Sequence, residues 1–295
     1  MHNFLWLRPQ IRFDGIAGIS SPFFERRILP ISSMKKSTVL ALMAGMALPA
    51  SAASYSNNFD AYADGTTDLG DGTQMNGASA SVQGGRLQIT IDGQALGFAS
   101  FNIPGLPDSS KGWTASFDYE MFDGPGNNVP ADGFSFNYGN FGLGTLGSAE
   151  EGMAGDGAVT NNLSFEVDTW MNFDAEQGVN IGVKIGGTQL GDPAFTNGPI
   201  LNDGTGVSGS MLISWDPVNG ASFSTTGLLT NADFTNADTG AFAGDDGFLF
   251  GFSGRVGGAN QDLFIDNLVI TTVPEPSSAA LLGLGAFGLL LRRRR

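Results

Sequence analysis

The sequence contains no cysteine, and its single histidine, His2, lies close to the start of the chain. Without cysteine, neither a disulfide framework nor a thiolate metal site can form. His2 also precedes a segment that looks like an export signal, so the exported part of the chain has no imidazole. Mechanisms that depend on a histidine base are therefore excluded.

Basic residues are scarce as well. Between Ser54 and Thr272 there are four Lys or Arg against 26 Asp or Glu, which gives this region a net charge of −22. Such a surface repels phosphate backbones, so nucleic acid is not an expected partner. The same surface attracts divalent cations.

Residues 34–52 have the composition of a secretory signal peptide. Two lysines follow Met34, an apolar run comes next, and small residues ending at Ala52 complete the segment. This order predicts export with cleavage after Ala52. Residues 1–33 have two interpretations: a start codon assigned too early, with Met34 as the true initiator, or an extension of the signal.

The last segment, residues 273–295, has three parts in a fixed order. They are the group Pro274, Glu275 and Pro276, an uncharged and mostly apolar span at 277–291, and the cluster Arg292, Arg293, Arg294 and Arg295. As a helix the span would be about 22 Å long, shorter than a bilayer core of about 30 Å. A plain C-terminal membrane anchor is one interpretation.

This tail also resembles the PEP-CTERM sorting signal of Gram-negative bacteria. The resemblance implies export by the Sec machinery, a temporary stay in the inner membrane and processing by an exosortase. The final location would then be the cell surface or the extracellular matrix, where such proteins are associated with exopolysaccharide.

Residues 53–272 predict one domain made of short strands separated by Gly, Asp and Asn turns. Apolar and polar residues alternate at 86–92, 113–121, 133–139, 163–170, 180–187, 248–254 and 263–271. In the first of these runs, Leu87, Ile89 and Ile91 are expected to face the core. DPVNG at 216–220 predicts a hairpin between two further strands. Since no segment predicts an amphipathic helix, we expect an all-β, antiparallel, two-sheet jelly-roll sandwich.

The stretch LSFEVDTWMNFD, residues 163–174, carries acids on one strand face. Side chains alternate along a strand, so Glu166 and Asp168 lie on the same side. Buried neighbouring carboxylates are costly unless a cation neutralises them, and calcium binds six to eight oxygens. We therefore predict a calcium site that comprises Glu166, Asp168, the Trp170 carbonyl, Asn172, and Asp174 or Glu176. The alternative is a solvent-facing strand edge in an acidic protein.

Four motifs resemble those of the L-type lectins, the legume lectins and their relatives. EVDTWMN at 166–172 resembles the metal-loop strand, and PADGFSFNY at 130–138 resembles the sugar loop. GLGTLG at 142–147 resembles the glycine-rich loop, and FLFGFSGRVGG at 248–258 resembles the strand that leads into the specificity loop. The motifs follow family order, which implies a concanavalin A-like fold with a calcium-stabilised carbohydrate site.

The resemblance assigns roles to individual residues. Asp132 would accept hydrogen bonds from two sugar hydroxyls after a cis peptide bond that follows Ala131, and Gly142 or Gly144 would offer a backbone N–H. Asn172 would be shared between calcium and ligand, and Phe173 would stack on the sugar. Asp-Gly is also a common turn pair, so a plain turn at Asp132 is the competing interpretation.

One departure from the lectin pattern bears on a second metal, and a comparison with a related class of enzymes bears on catalysis. Asn180 stands where plant members place a histidine on a transition metal, which leaves a second metal site in doubt. Glycosidases of the laminarinase type, which share the sandwich, carry a further Glu on the acidic strand, and here that position falls on Trp170 or Met171. A hydrolase is therefore the weakest interpretation, because retaining hydrolysis needs two suitably placed carboxyl groups.

Two hypotheses remain for the exported domain. It is a non-enzymatic, calcium-stabilised module that binds a glycan or exopolysaccharide, or it is a structural protein of the biofilm matrix that kept the sandwich and lost the sugar site. Fold resemblance alone does not choose between them.

Overall fold

The structure is a computed structural model that describes the residues 51–94, 96–122, 131–147, 152–153, 159–170, 180–190, 194–195, 207–227, 234–240 and 242–273. The regular elements of these residues are strands, apart from one short 3-10 turn at Ser109–Lys111. Within the described ranges, no helix has the length and apolar character needed to cross a membrane.

Sixteen strands are found in the described residues. They are β1 (Ser54–Asn57), β2 (Gln74–Gly77), β3 (Ser81–Gln83), β4 (Arg86–Thr90), β5 (Gly97–Ile103), β6 (Trp113–Phe122), β7 (Gly133–Gly139), β8 (Asn162–Asp168), β9 (Asn180–Ile185), β10 (Thr188–Gln189), β11 (Ala194–Phe195), β12 (Val207–Asp216), β13 (Gly220–Thr225), β14 (Phe234–Ala237), β15 (Leu249–Val256) and β16 (Asp262–Thr272).

The strands form two antiparallel sheets of eight strands each. The first sheet has the order β14-β13-β12-β6-β16-β4-β3, with β1 also paired to β16. The second sheet has the order β10-β9-β8-β7-β15-β5-β2, with β11 also paired to β9. The predicted all-β, antiparallel two-sheet sandwich is confirmed.

The core lies between the sheets and is built by strand alternation. Every second residue of β6 points inward, and Trp113, Phe117 and Tyr119 on this face are at most 2% exposed. The Trp113 ring meets the rings of Phe136 and Phe250 edge to face, with centroids 5.8 and 5.3 Å apart. Aromatic pairs favour this geometry because the ring edge is positive and the face negative. The two sheets are therefore joined mainly by aromatic contacts.

Two local predictions have different outcomes. The hairpin at 216–220 is confirmed, because Asp216 accepts hydrogen bonds from the backbone N–H groups of Val218 and Asn219 and fixes the turn between β12 and β13. The expectation that Ile91 faces the core is wrong. Strand β4 ends at Thr90, and Ile91 is 37% exposed in the turn that follows.

The outer face of the second sheet is covered by loops. Its small polar side chains, Ser135, Asn137, Ser164 and Ser253, are fully buried. An additional apolar cluster lies over this face and comprises Phe141, Met153 and Val159, packed against Leu249 of β15. This cluster holds the covering loops against the polar face of the sheet, because packing there removes apolar side chains from water.

Candidate functional site

The sheet register brings the predicted acidic residues to one end of the central strands of the second sheet. Gly133 at the start of β7 pairs with Asp168 of β8 on one side and with Arg255 of β15 on the other. Asp132 directly precedes Gly133, and its carboxylate lies 3.2 Å from the Nε of Arg255.

Asp132 is held by its backbone on both sides. The peptide bond between Ala131 and Asp132 is cis, as the lectin resemblance implies. The Asp132 N–H donates to the Arg255 carbonyl at 3.1 Å, and the Asp132 carbonyl accepts from the Thr169 N–H at 3.0 Å. Asp132 is only 5% exposed, and Gly133 continues into β7 instead of turning back in a two-residue hairpin. A plain hairpin turn at Asp132 and Gly133 is therefore not what the chain forms.

The carboxylate of Asp132 has a cationic neighbour. The Arg255 Nε lies 3.2 Å from Asp132 Oδ2, and the Arg255 guanidinium carbon lies 5.8 Å from the centre of the Phe98 ring. Next to this pair, a side chain is missing at Gly257, where a Cβ would stand 3.1 Å from Asp132 Oδ2. The Asp132 carboxylate thus lies so close to Gly257 that a side chain at position 257 would crowd it.

Asp168 ends strand β8 and is 6% exposed. Its Oδ1 accepts the backbone N–H of Trp170 at 3.0 Å, which turns the chain away from the sheet at this point. Trp170 is 36% exposed and lies beyond the end of the strand, although the alternation predicted that the strand would include it.

Glu166 is fully buried in the middle of the covered face. Its Oε2 lies 2.5 Å from the Nζ of Lys184 on β9. Glu166 and Gly182 are directly paired across the two strands, and a Cβ on Gly182 would stand 2.4 Å from Glu166 Oε1. The carboxylate therefore occupies the space above a glycine, with an ammonium group at its other oxygen.

All four basic residues between Ser54 and Thr272 take part in ion pairs. The pairs are Arg86–Glu120, Lys111–Asp108, Lys184–Glu166 and Arg255–Asp132. Two of these four cations therefore neutralise acids for which the sequence predicted metal or sugar contacts. In a region with a net charge of −22, this is a concentrated use of positive charge at one sheet.

The glycine-rich loop is tied to the second sheet through its carbonyl groups. Asn102 donates to the carbonyls of Leu143 and Thr145 at 2.7 and 2.8 Å, and Ser100 donates to the Thr145 carbonyl at 2.6 Å. The Gly142 N–H donates to Thr145 Oγ1 within the loop, whereas a Cβ on Gly144 would meet nothing within 4 Å. Of the two predicted backbone donors, Gly144 is therefore the one that borders open space.

Below this loop, polar side chains satisfy one another. Asn137 donates to Ser135 Oγ at 2.9 Å and to Ser253 Oγ at 3.2 Å, and it accepts from Ser164 Oγ at 2.7 Å. Ser253 Oγ also accepts the backbone N–H of Met153 at 2.7 Å. Buried polar groups need such partners, and a complete network fixes the positions of its members.

The predicted calcium ligands fit a cation unequally. Asp168 offers a nearly buried carboxylate at the point where the chain leaves the sheet towards residues 171–179, and hard oxygen donors of this kind suit calcium. Glu166 does not fit in the same way, because the Lys184 ammonium already neutralises its carboxylate. Among the described residues, no group of three or more acidic or histidine side chains could hold a metal ion.

Several predicted residues lie outside the described ranges. They are Asn172, Phe173, Asp174 and Glu176 of the site, and Pro274, Glu275, Pro276, Arg292, Arg293, Arg294 and Arg295 of the tail. For Asn180 the structure describes only the backbone, which pairs with Asp168. Ala52 is described and lies just before β1, where the neighbouring Ala53 carbonyl accepts from the Thr272 N–H at 2.9 Å.

Sequence reasoning did not identify Lys184 as a partner of the acidic strand. A signal was present, because NIGVKIGG predicts a strand with Lys184 on the face opposite Val183, in a region with only four basic residues. The alternation does not reveal which neighbouring strand this face meets, so the pairing with Glu166 required the sheet register.

Comparisons with known proteins concern the C-terminal tail and the fold of the domain. Residues 272–295 match the family model of the PEP-CTERM protein-sorting motif, which indicates an exported protein that is sorted through the membrane. No curated protein matches the sequence.

Solved structures of legume lectins share the fold over most of the chain. The lectin from Bauhinia forficata, solved with GalNAc, is 15% identical, with a TM-score of 0.55 over 76% of this chain and 99% of the lectin. Lectin II from Ulex europaeus is 14% identical, with a TM-score of 0.57 over 75% and 98%. A metal-free form of lectin I-B4 from Griffonia simplicifolia is 14% identical, with a TM-score of 0.57 over 75% and 99%. At these identities the likeness concerns the fold.

Proposed function

We propose that the protein is a non-enzymatic glycan-binding module displayed at the surface or in the extracellular matrix of a Gram-negative bacterium. One observation carries the proposal: the nearly buried Asp132 carboxylate is fixed at the sheet edge by backbone hydrogen bonds and borders the side-chain-free Gly257. A carboxylate held in this way suits a ligand that is rich in hydroxyl donors, and sugars have this chemistry.

Two further groups would supply complementary contacts. Gly144 borders open space in the glycine-rich loop, and Trp170 is an exposed aromatic side chain that follows Asp168. Backbone N–H donors and aromatic faces complement the hydroxyl groups and apolar faces of a sugar ring. The loops around the sheet edge would therefore surround a saccharide with one acceptor, one donor and one apolar wall.

Calcium is the proposed brace of this arrangement. Asp168, the Trp170 carbonyl, Asn172, and Asp174 or Glu176 would hold it, and the ion would neutralise the acids and fix the loop. The sugar-contacting residues would then be Asp132, Gly144 or Gly142, Asn172 and Phe173.

The sorting motif at residues 272–295 supports the proposed delivery to the surface. We propose that the Sec machinery exports the chain, that the tail lodges temporarily in the inner membrane, and that an exosortase processes it there. A glycan or exopolysaccharide of the cell itself is the expected partner, because export brings the module into contact with that matrix.

The test is a glycan-array measurement on the purified protein with calcium, comparing the wild type with Asp132→Asn. We expect the variant to lose binding by about tenfold or more, because hydrogen bonds to a charged acceptor are weakened. Asp118→Asn is the matched control, since Asp118 is an exposed acid on the outer face of the first sheet. Equal binding by the wild type and Asp132→Asn would contradict the proposal.

One observation favours a second function. The Arg255 guanidinium already accompanies the Asp132 carboxylate, as it would in a matrix protein whose sugar site has been closed by an internal ion pair. This structural role predicts that the wild type binds no glycan on the array and that Asp132→Asn changes only stability. The same experiment therefore separates the two functions.

A further inference from the structure

The buried ion pair between Glu166 and Lys184 is unusual for this protein. Glu166 has no exposed surface, and the ammonium of Lys184 lies 2.5 Å from its Oε2. The side chain of Lys184 is 17% exposed, so the pair is closed on the Glu166 side and reaches solvent only at the lysine. Isolated carboxylates are very costly in such surroundings, and a cation at contact distance removes most of that cost.

The neighbouring residues make room for this pair. Gly182 stands directly opposite Glu166, and a Cβ there would lie 2.4 Å from Glu166 Oε1 and 2.6 Å from Gln189 Oε1. The carboxylate and the Gln189 amide therefore occupy the space above Gly182. Lys184 lies two residues further along β9 and approaches the carboxylate diagonally across the strand pair.

We propose that Lys184 is a built-in cation that takes the place of a metal ion at Glu166. The lectin resemblance assigns Glu166 to the metal site, but the chain supplies the positive charge itself at that carboxylate. Any divalent ion is then confined to the Asp168 side of the strand, beyond the end of β8. The inference concerns the charge balance of the sheet and does not depend on sugar binding.

The internal ion pair affects how the protein behaves without and with a bound divalent ion. The β8–β9 pair keeps its acid neutralised without a metal, so the strand that carries Asp168 is in place before any ion binds. Removing divalent ions would leave this part of the sheet intact and would affect only the loop that follows Asp168. The predicted calcium site would then lack Glu166 as a ligand.

The test is thermal unfolding of the purified protein, with and without a chelator, for Lys184→Met, Glu166→Gln and the double variant. We expect Lys184→Met to lower Tm by about 10 °C, because it leaves a buried carboxylate without its partner. Adding Mn²⁺ or Ca²⁺ should restore part of this loss in Lys184→Met. The double variant should regain most of the loss without any metal, because its buried amide is neutral.

Lys111→Met is the matched control. Lys111 forms an ion pair of the same length with Asp108, but both side chains are about one third exposed, and such pairs contribute little to stability. Its Tm should change by about 1 °C at most. If Lys184→Met fails to fold, Glu166→Gln still tests the idea, because its response to calcium should equal that of the wild type.

Two results would overturn the inference: a Lys184→Met protein as stable as the wild type, or a Glu166→Gln protein that has lost a calcium response present in the wild type. If calcium does not change the Tm of the wild type and Lys184→Met is destabilised, the inference is supported. That outcome would contradict only the calcium brace of the proposed function, so the two failures are distinguishable.

Discussion

The outer faces of both sheets carry polar side chains, but these are exposed on the first sheet and buried on the second. On the first sheet, Ser208, Ser210 and Asp118 point into solvent and are exposed. On the second sheet, Asn137 and Ser253 have no exposed surface and make their hydrogen bonds within the protein.

This difference shows where the sandwich has fixed structure beyond its core. Because these side chains of the first sheet are exposed, changes there should cost little stability. Under the loops of the second sheet, each polar group depends on another, and losing one leaves its partners buried and unsatisfied. Asp132 and Asp168 lie at the end of this covered face, beside the buried polar network.

The largest effect should come from the centre of the covered network. Asn137→Ala removes the partner of Ser135, Ser164 and Ser253 at once, and we expect it to lower the free energy of unfolding by about 3 kcal/mol. Denaturant unfolding measures this change. Asn58→Ala, on an exposed turn, is the control and should change stability by less than about 0.5 kcal/mol. A loss below 1 kcal/mol for Asn137→Ala would mean that the network contributes little.

A matched pair of serines compares the two faces directly. Ser253→Ala removes an acceptor of the Met153 N–H and of Asn137, and it should cost about 2 kcal/mol. Ser210→Ala makes the same chemical change on the exposed face, where Ser210 contacts only Thr226 Oγ1 in addition to its backbone bonds, and should cost less than about 0.5 kcal/mol. Similar costs in chemical denaturation would remove the distinction between the faces.

A turn of the first sheet should show a smaller, pH-dependent effect. Burial works against the charge of Asp216, but hydrogen bonds from Asn219 and Val218 outweigh it and hold its pKa below the usual value. A lowered pKa stabilises the fold above the ordinary aspartate pKa of about 4, and this contribution is lost as pH falls through the lowered value. Asp216→Ala should cost about 1 kcal/mol at neutral pH, with the loss shrinking in acid. Unfolding curves at neutral and acidic pH measure this cost. An equal cost at both pH values would contradict the prediction.

The smallest effect should have the opposite sign. Burial and the neighbouring carboxylates of Asp60 and Asp118 raise the pKa of Asp266. A raised pKa means that stability is present at low pH and is lost as pH rises through the raised value. Asp266→Asn should therefore raise Tm by about 1 °C at neutral pH and leave it unchanged in acid. Calorimetry that finds a lower Tm at neutral pH would show that the charge of Asp266 is stabilising.

The strands and the sandwich could be predicted from the sequence because alternation directly reports two-faced strands. WTASFDYEM gave the correct inward residues of β6, and DPVNG gave the hairpin. The cis peptide bond before Asp132 is implied by the resemblance to the L-type lectins. These features depend on local sequence, which a linear pattern records well.

The covered face could not be predicted in the same way. Alternation distinguishes two faces of a strand but does not say whether loops or water meet the polar one, so the burial of Ser135 and Asn137 was not foreseen. The ion pair of Glu166 with Lys184 joins strands whose register is set by the whole sheet. The sequence indicates which face of β9 carries Lys184, but the partner of that face depends on the sheet register.

A crystal structure of the protein with excess calcium and the oligosaccharide bound most tightly on the array would locate both the ion and the sugar. We expect density for calcium beside Asp168, none beside Glu166, and sugar hydroxyls within hydrogen-bonding distance of the Asp132 carboxylate. Water alone at Asp168, with the sugar bound away from Asp132, would contradict the proposed calcium and sugar sites.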